Sequence, residues 1–445
     1  MLCFSAHFSL WRRHDFLSSR AWNLRHNTPT QLPINPFNAQ SFFGDVNMMK
    51  RRDFLKLSAL AAPGALSYTD VFAQADAIQF GCPVPMSGPF AANGKYADMG
   101  MKLVLQKYGK VLGKNLSYTT LDTEGKPATA VRKVQETMEK GTRFFAGGIL
   151  SGEALAMGKE AEKGGSIFIT TAGADEITGS DCNRATFRWS VPTFGAIEQT
   201  VRPLLEKMPN AKRWYTITPQ YVFGDGLLSA AKAIFKEKGI EHVGNSYHSL
   251  AEKEFSGYLT NAMAAKPDVL LLLNFGSQSS DTLRQAVSFG MKNNCTILMA
   301  WASGLEQFET LGADICDGVY FGAQYWHAID APFNKEFVKT VNDALKIDPN
   351  YSLAGSYICT KIVLDAIIKA NSTDPKAVIA AMEGMKYEGL TGTEEIRKGD
   401  HQVIKNYYLL KGKAKSKMRN KNDYADIISS GKSFLALDKT MCKLT

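Results

Sequence analysis

Short apolar runs alternate with amphipathic helical patterns from residue 77 to about residue 322. The run Val269–Leu273 is apolar at every position, as expected of a strand covered by helices on both faces. Nine runs are interpreted as strands: Ala77–Val84, Leu116–Leu121, Arg143–Gly148, Ile167–Thr171, Arg213–Thr218, His242–Tyr247, Val269–Leu273, Thr296–Ala300 and Gly318–Gly322. This alternation is typical of βαβ units on a parallel sheet.

The pattern changes to consecutive helices after residue 330. Three helices are predicted there: Phe333–Leu345, Leu353–Ala370 and Pro375–Met385. A strand is predicted after them, near Val403–Leu410. The chain is too long for one ordinary hydrophobic core, so it is expected to divide. We therefore predict an α/β fold with two doubly wound parallel-sheet lobes.

The change of pattern also suggests where the lobes begin and end. We assign residues 76–192 and 326–395 to lobe 1, and residues 193–325 and 396–412 to lobe 2. Residues 413–445 contain a run of spaced lysines and are expected to form a solvated basic tail, which is the usual fate of a charge run.

A pair of arginines, Arg51 and Arg52, stands just before the apolar stretch Leu57–Leu66. This arrangement is typical of a twin-arginine export signal. A membrane span is disfavoured, because Pro63 and Gly64 interrupt the stretch and a span needs about 20 consecutive apolar residues.

The export signal is predicted to cover residues 48–75, with cleavage after Ala73 or Ala75. Residues 1–47 match no targeting pattern and are interpreted as a start codon assigned too early or as a disordered extension. The mature protein is expected to work in the periplasm.

The charge of the mature chain limits its binding partners, and its cysteines indicate disulfides. Beyond residue 73 there are 44 Lys and Arg against 39 Asp and Glu, which leaves a mild net charge of +5. No basic block with interleaved aromatic residues occurs outside the tail, so nucleic acid is not expected as a partner. One or two disulfides are expected in an oxidising compartment, with the pairing open among six cysteines: Cys82, Cys182, Cys295, Cys316, Cys359 and Cys442.

The usual catalytic motifs are missing from the sequence. We find no G-x-S-x-G, no H-E-x-x-H and no G-x-G-x-x-G after a strand. The histidines beyond the export signal show no metal-ligand spacing. We therefore expect no catalytic residues, no metal and no cofactor, which favours a binding protein over an extracytoplasmic enzyme.

Polar and glycine-containing loops follow four of the predicted strands, at the edge where open α/β sheets bind ligands. They are Pro85–Gly94, Ile149–Glu153, Thr170–Ala174 and Asn274–Ser277. The hydroxyl of Ser151 and nearby amides are placed to meet an anion at a helix N-terminus. Simple helix capping explains any one loop, whereas their joint occurrence favours a ligand site.

Over about residues 77–410 the chain resembles periplasmic solute-binding proteins of the branched-chain amino acid type. The segments that carry the resemblance are Pro85–Gly94, Gly147–Ser151, Thr170–Glu176, Gln220–Gly226 and Leu283–Ala286. The resemblance implies two lobes joined by three crossings, near residues 190–194, 322–328 and 390–400, that close over a ligand. It also implies a monomer that delivers its ligand to the membrane subunits of an ABC permease. A sensor subunit for a membrane receptor is the alternative.

The resemblance also implies roles for particular residues. Ser151 would hold the ligand carboxylate, and the loop at Thr171 would supply backbone and hydroxyl contacts. Asn93 occupies a position that is usually aromatic, and Phe275 a second-lobe aromatic position. The full set of candidate ligand-binding residues is Asn93, Ser151, Gly152, Thr171, Ala172, Gly173, Tyr221, Phe223, Phe275, Trp301 and Ala302.

Ala302 departs from the pattern of the amino-acid binders, which have an acidic group there for the ligand ammonium. An unpaired charge in a desolvated cleft is costly, so the departure disfavours a zwitterion. The expected ligand is a small carboxylate, and two classes stay open. An aromatic acid would lie against Phe275, Trp301 and Tyr221, whereas an amino acid would need Glu306 as a substitute acid.

Overall fold

The structure of the protein, a computed structural model, describes residues 77–444. The predicted export signal, its cleavage site and the preceding extension lie outside these residues.

Lobe 1 is built on a six-stranded sheet in the order β2-β3-β1-β4-β5-β6, parallel except for the β2-β3 pair. Its strands are β1 (Ile78–Val84), β2 (Lys110–Val111), β3 (Lys114–Asp122), β4 (Phe144–Gly147), β5 (Ile167–Thr170) and β6 (Thr186–Arg188). Its first helices are α1 (Ala91–Tyr108), α2 (Pro127–Glu139) and α3 (Ser151–Lys163). Pro127 occupies the first turn of α2, where its missing N–H costs nothing.

Lobe 2 contains a seven-stranded sheet in the order β16-β15-β11-β10-β9-β7-β8. Strands β7 to β11 are parallel, and β15 and β16 are antiparallel additions at one edge. The strands are β7 (Arg213–Pro219), β8 (Glu241–His248), β9 (Val269–Leu272), β10 (Thr296–Met299), β11 (Tyr320–Ala323), β15 (Tyr407–Gly412) and β16 (Ala425–Gly431). The helices are α4 (Thr193–Lys207), α5 (Val222–Lys238), α6 (Ser256–Ala264), α7 (Ser277–Ser288), α8 (Leu305–Leu311) and α9 (Ala313–Cys316).

The remaining elements return to lobe 1. They are α10 (Pro332–Leu345), α11 (Tyr351–Ala370), α12 (Pro375–Met382), and a small antiparallel sheet of β12 (Lys386–Gly389), β13 (Gly392–Ile396) and β14 (Val403–Ile404). Among the described residues, α11 alone is long and apolar enough to span a membrane. It is mostly buried and packs along α1, so we interpret it as a core helix of lobe 1.

The chain connects the two main sheets at residues 189–192, 324–331 and 405–406. The first two connections lie where the sequence places them. The third does not, because residues 392–396 form β13 and pair with β14, which keeps the chain in lobe 1 as far as residue 404. The predicted end of lobe 1 at residue 395 is therefore too early.

The predicted basic tail is part of the fold. Residues 425–431 form β16, which pairs with β15 and extends the sheet of lobe 2. Farther along, Cys442 forms a disulfide with Cys182 of lobe 1, while Cys82, Cys295, Cys316 and Cys359 are free. The prediction of a solvated tail was wrong because the spacing of lysines in the sequence does not show which of them are buried. Lys413 is buried and forms an ion pair with Asp423 at 2.7 Å.

Candidate functional site: the cleft between the lobes

The carboxyl ends of the parallel strands of both lobes face a common cleft, and the lobes touch across it. Phe90 of lobe 1 stacks on Phe275 of lobe 2 at 6.3 Å between ring centroids, and the hydroxyl of Ser277 donates to the carbonyl of Pro89 at 3.0 Å. Between these contacts lies a narrow cavity of about 10 Å³, lined by Ile149, Thr171, Gly173, Tyr221, Phe223, Phe275, Trp301 and Tyr351.

Aromatic rings form most of the cavity wall. Trp301 meets Phe223 edge to face at 5.1 Å and Tyr351 at 6.3 Å, and Phe275 meets Tyr351 at 6.5 Å. Such edge-to-face pairs stabilise one another beyond their buried area and hold the rings in place. None of the eight residues that line the cavity is an acid or a base. The wall therefore suits a flat, largely apolar molecule.

The loop after β5 forms the lobe 1 side of the cavity. A Cβ atom on Gly173 would lie 2.7 Å from Cη2 of Trp301 and 2.8 Å from Cε2 of Phe223, so only glycine allows lobe 2 to approach this closely. The hydroxyl of Tyr351 donates to the carbonyl of Thr171 at 2.5 Å. The loop is thus held between α11 and the lobe 2 rings.

Behind this loop lies the buried guanidinium of Arg188, which is 1% exposed. It donates to the carbonyls of Gly173, at 3.3 Å, and Ala174, to the hydroxyl of Thr178, and to the amide oxygen of Gln402 at 2.7 Å. Burial lowers the pKa of Arg188 to about 10, against the opposing effect of nearby acids. Arg188 fixes the backbone that forms the cavity wall.

Six of the eleven predicted site residues line the cavity: Thr171, Gly173, Tyr221, Phe223, Phe275 and Trp301. Ser151, Gly152 and Ala172 lie behind the wall. The hydroxyl of Ser151 accepts from the amide of Ala174 at 3.1 Å, the amide of Ala172 donates to the hydroxyl of Thr170 at 3.1 Å, and Gly152 faces Pro127.

The other two predicted residues, Asn93 and Ala302, also lie off the cavity wall. Asn93 is 4% exposed and donates to the hydroxyl of Ser352 at 3.2 Å, beside Gly276. Ala302 is 1% exposed, and its amide donates to the carbonyl of Gly322 at 2.7 Å. Both support residues of the cleft rather than form its surface.

Two cavity residues, Ile149 and Tyr351, were missed from the sequence. Ile149 lies in the loop before α3, where the sequence predicts Ser151, two positions later, as the ligand-binding residue. Tyr351 is the first residue of α11, and the sequence interpretation placed that helix start two residues later. A tyrosine just after the N-cap Asn350 was the available signal.

Two buried acids lie near the cleft without lining the cavity. Glu306 lies in the first turn of α8, and burial raises its pKa to about 8; its neighbours include Asn350 and Tyr96. Glu153 is the third residue of α3, and burial raises its pKa to about 7 while the backbone at Leu150 lowers it. No hydrogen bond to either buried carboxylate oxygen of Glu153 is seen within the described part of the chain.

Among residues 77–444, no group of three or more His, Cys, Asp or Glu side chains is arranged to hold a metal ion.

Comparison with known proteins gives a consistent result. The model of a family described as periplasmic binding protein matches residues 77–417. The Leu/Ile/Val-binding protein BraC3 of Rhizobium johnstonii is 26% identical over 320 residues, which cover 69% of this chain and 84% of that protein.

Solved structures are also similar. An amino acid ABC transporter substrate-binding protein from Pseudomonas fluorescens Pf-5 is 56% identical, with a TM-score of 0.80 over 82% of this chain and 99% of that one. A solute-binding protein from Rhodopseudomonas palustris BisB5 in complex with 3,4-dihydroxybenzoic acid is 24% identical, with a TM-score of 0.72 over 80% of this chain and 98% of that one.

Proposed function

Because the chain belongs to the periplasmic binding protein family, we propose that it captures a small aromatic carboxylate between its lobes and delivers it to an ABC importer. The family resemblance and the two-lobe α/β fold predicted from the sequence are confirmed. The family consists of the substrate-binding proteins of transporters, which are not enzymes, and its members indicate a periplasmic location. Export through the Arg51-Arg52 signal and a monomeric state are further parts of the proposal.

The observation that carries the choice of ligand is the uncharged, aromatic wall of the cavity. The ammonium of a zwitterionic ligand would lose its hydration there without meeting a carboxylate in the wall, which is costly. A benzene ring instead gains from contact with Trp301, Phe275 and Phe223. At about 10 Å³ the cavity is too small for a benzoate in this arrangement, so the lobes must separate to admit the ring.

The ligand carboxylate would be held at the lobe 1 side. Thr171 lies in the wall, and the first N–H groups of α3 have no partner within their helix. Helix N-termini favour anions, since the helix dipole is positive there. Charge-assisted hydrogen bonds of this kind fix the orientation of a carboxylate. The lobes would then close around the ring, in a hinge motion about the three connections.

The first test is a thermal-shift series on the protein from residue 76 onward. Benzoate or 3,4-dihydroxybenzoate at 100 times its dissociation constant should raise the free energy of unfolding by about 2.7 kcal/mol. The matched compound benzyl alcohol, which lacks the carboxylate, should give little shift. Leucine should give none, and a shift with leucine alone would contradict the aromatic-acid proposal.

An amino acid is the competing ligand, with Glu306, a largely buried acid near the cleft, as the partner of its ammonium. If leucine binds, the variant Glu306→Gln should then bind leucine more weakly while its binding of benzoate stays the same. An unchanged leucine affinity would exclude Glu306 as the partner of the ammonium.

Replacing Gly173 by Ala should reduce ligand affinity by at least about tenfold, or about 1.4 kcal/mol. The added methyl group would overlap Trp301 and Phe223 when the lobes are together but not when they are apart, so it destabilises the arrangement that encloses the ligand. Isothermal titration with benzoate measures the affinity. The control is Gly257→Ala at the exposed start of α6, where a Cβ atom meets nothing within 4 Å and binding should be unchanged. Normal affinity in Gly173→Ala would remove this loop from the ligand site.

A further inference from the structure

The segment that follows β16 leaves lobe 2 and crosses to lobe 1. We call residues 432–442 the C-terminal strap. At its lobe 2 end, Gln199 of α4 donates to the hydroxyl of Ser433 at 2.5 Å. The carbonyl of Ser433 packs so closely on Gly195 that a Cβ atom there would lie 2.2 Å from it. The start of the strap is therefore attached to α4 of lobe 2.

The other end of the strap is attached to lobe 1. Arg397 donates to the carbonyl of Leu435 at 2.9 Å, and the carbonyl of Thr440 lies against Gly179. The strap ends in the disulfide between Cys442 and Cys182, which are 260 residues apart in sequence. Cys182 lies in the segment just before β6 of lobe 1. The disulfide therefore joins the strap, which follows β16 of lobe 2, covalently to lobe 1.

The middle of the strap is exposed and does not fill a core. Leu437 is 42% exposed and Met441 is 72% exposed. Beneath the strap lies an open groove of about 530 Å³, lined on one side by residues 175–180 of lobe 1 and on the other by residues 225–233 of lobe 2. A segment with fixed ends that spans an open groove between two bodies acts as a tether, because its contacts depend on the positions of both.

We propose that the C-terminal strap, closed by the Cys182–Cys442 disulfide, is a fourth connection between the lobes that limits their separation and slows ligand release. The proposal rests on the proposed function, in which the lobes separate and close around a ligand. Eleven residues can extend to roughly 36 Å, so the tether allows opening. Separation must first pull Ser433 or Leu435 from its partner, however, and the contacts of the strap therefore favour the arrangement with the lobes together.

The test is the double variant Cys182→Ser/Cys442→Ser. Benzoate release, followed by stopped-flow tryptophan fluorescence, should become at least about fivefold faster, the lower end of usual coupling between sites. Small-angle X-ray scattering of the ligand-free variant should show a larger radius of gyration. A lower melting temperature is also expected, but a purely structural disulfide would give the same change. Release rate and radius of gyration are therefore the deciding measurements.

Two controls keep this test decisive. Cys295→Ser removes a free, half-buried cysteine and should leave release and radius of gyration unchanged. If the double variant fails to fold, the wild-type protein treated with dithiothreitol, and the variant Gln199→Ala/Arg397→Ala with its disulfide intact, replace it. A lower melting temperature with unchanged release rate and unchanged radius of gyration would overturn the proposal. The scattering measurement needs no ligand, so it separates this outcome from failure of the proposed function.

Discussion

Replacing Glu394 by Ala should lower the free energy of unfolding by about 3–5 kcal/mol, because it leaves several buried donors without an acceptor and the buried Lys405 without a nearby negative charge. Glu394 is 0% exposed. One carboxylate oxygen accepts from the indole of Trp189 at 2.8 Å and from the hydroxyl of Tyr387 at 2.9 Å. The other accepts from the amide and hydroxyl of Thr391 at 3.0 and 2.9 Å. The variant leaves these donors without their acceptor.

The loss would extend to Lys405, whose ammonium depends on the charge of Glu394. Lys405 is 0% exposed, donates to the carbonyl of Gln324 at 2.7 Å, and lies 4.2 Å above the ring of Trp189. The side chain of Gln324 in turn bonds both the amide and the carbonyl of Val191. Because Val191, Gln324 and Lys405 belong to the three different connections, this cluster fixes the connections to one another.

The effect of Glu394→Ala should depend on pH. Burial lowers the pKa of Lys405 from 10.5 to about 7, against the raising effect of Glu394. Between these values the unfolded chain binds more protons than the folded protein, so the contribution of Lys405 to stability rises with pH. Without Glu394, protonating Lys405 in the fold becomes harder still. The deficit of Glu394→Ala should therefore be larger at pH 6 than at pH 9.

Urea unfolding at both pH values measures this deficit. The neighbouring residue provides the control, because Glu395 is exposed and pairs with Lys386 only at 3.5 Å. Glu395→Ala should cost less than about 1 kcal/mol at either pH, as is usual for surface pairs. Equal, small decreases in the free energy of unfolding of the two variants would mean that the connections do not depend on Glu394.

The sequence predicts the parallel strands well because burial on both faces leaves apolar runs such as Val269–Leu273. It predicts less well the strands whose neighbours decide their conformation. β6 has three residues, ends in Arg188, and was not identified, since a buried arginine looks polar in a sequence. Strands β12 and β13 were also missed, because Lys386 and Glu395 give them a surface composition, whereas β14 lies within the strand predicted near Val403–Leu410.

The candidate site could be located in part for the same reasons. Loops after parallel strands were identifiable because the fold brings those ends together, and Thr171, Phe275 and Trp301 do lie at one cavity. Which side chain of a loop faces the cavity depends on the neighbouring lobe. Ser151 points to the amide of Ala174, and no spacing rule shows that. The pairing of Cys182 with Cys442 likewise requires the three-dimensional path of the strap.

Replacing Arg188 by Met should have the largest combined effect on stability and binding. The change deprives the carbonyls of Gly173 and Ala174 and the side chain of Gln402 of a buried donor. It also leaves the largely buried Asp175 without its nearby positive charge. We expect the free energy of unfolding to fall by about 3–5 kcal/mol, as for other buried charges that lose a partner.

Ligand affinity should fall as well, because the loop that Arg188 fixes forms the cavity wall at Gly173. Arg188→Lys should restore only part of either property, since one ammonium cannot reproduce the several directed N–H groups of a guanidinium. Urea unfolding and titration with benzoate provide the two measurements. The exposed Arg184→Met is the control and should change stability by less than about 0.5 kcal/mol. If Arg188→Met lost stability but bound benzoate normally, the loop would keep its shape without the guanidinium, and Arg188 would serve the fold alone.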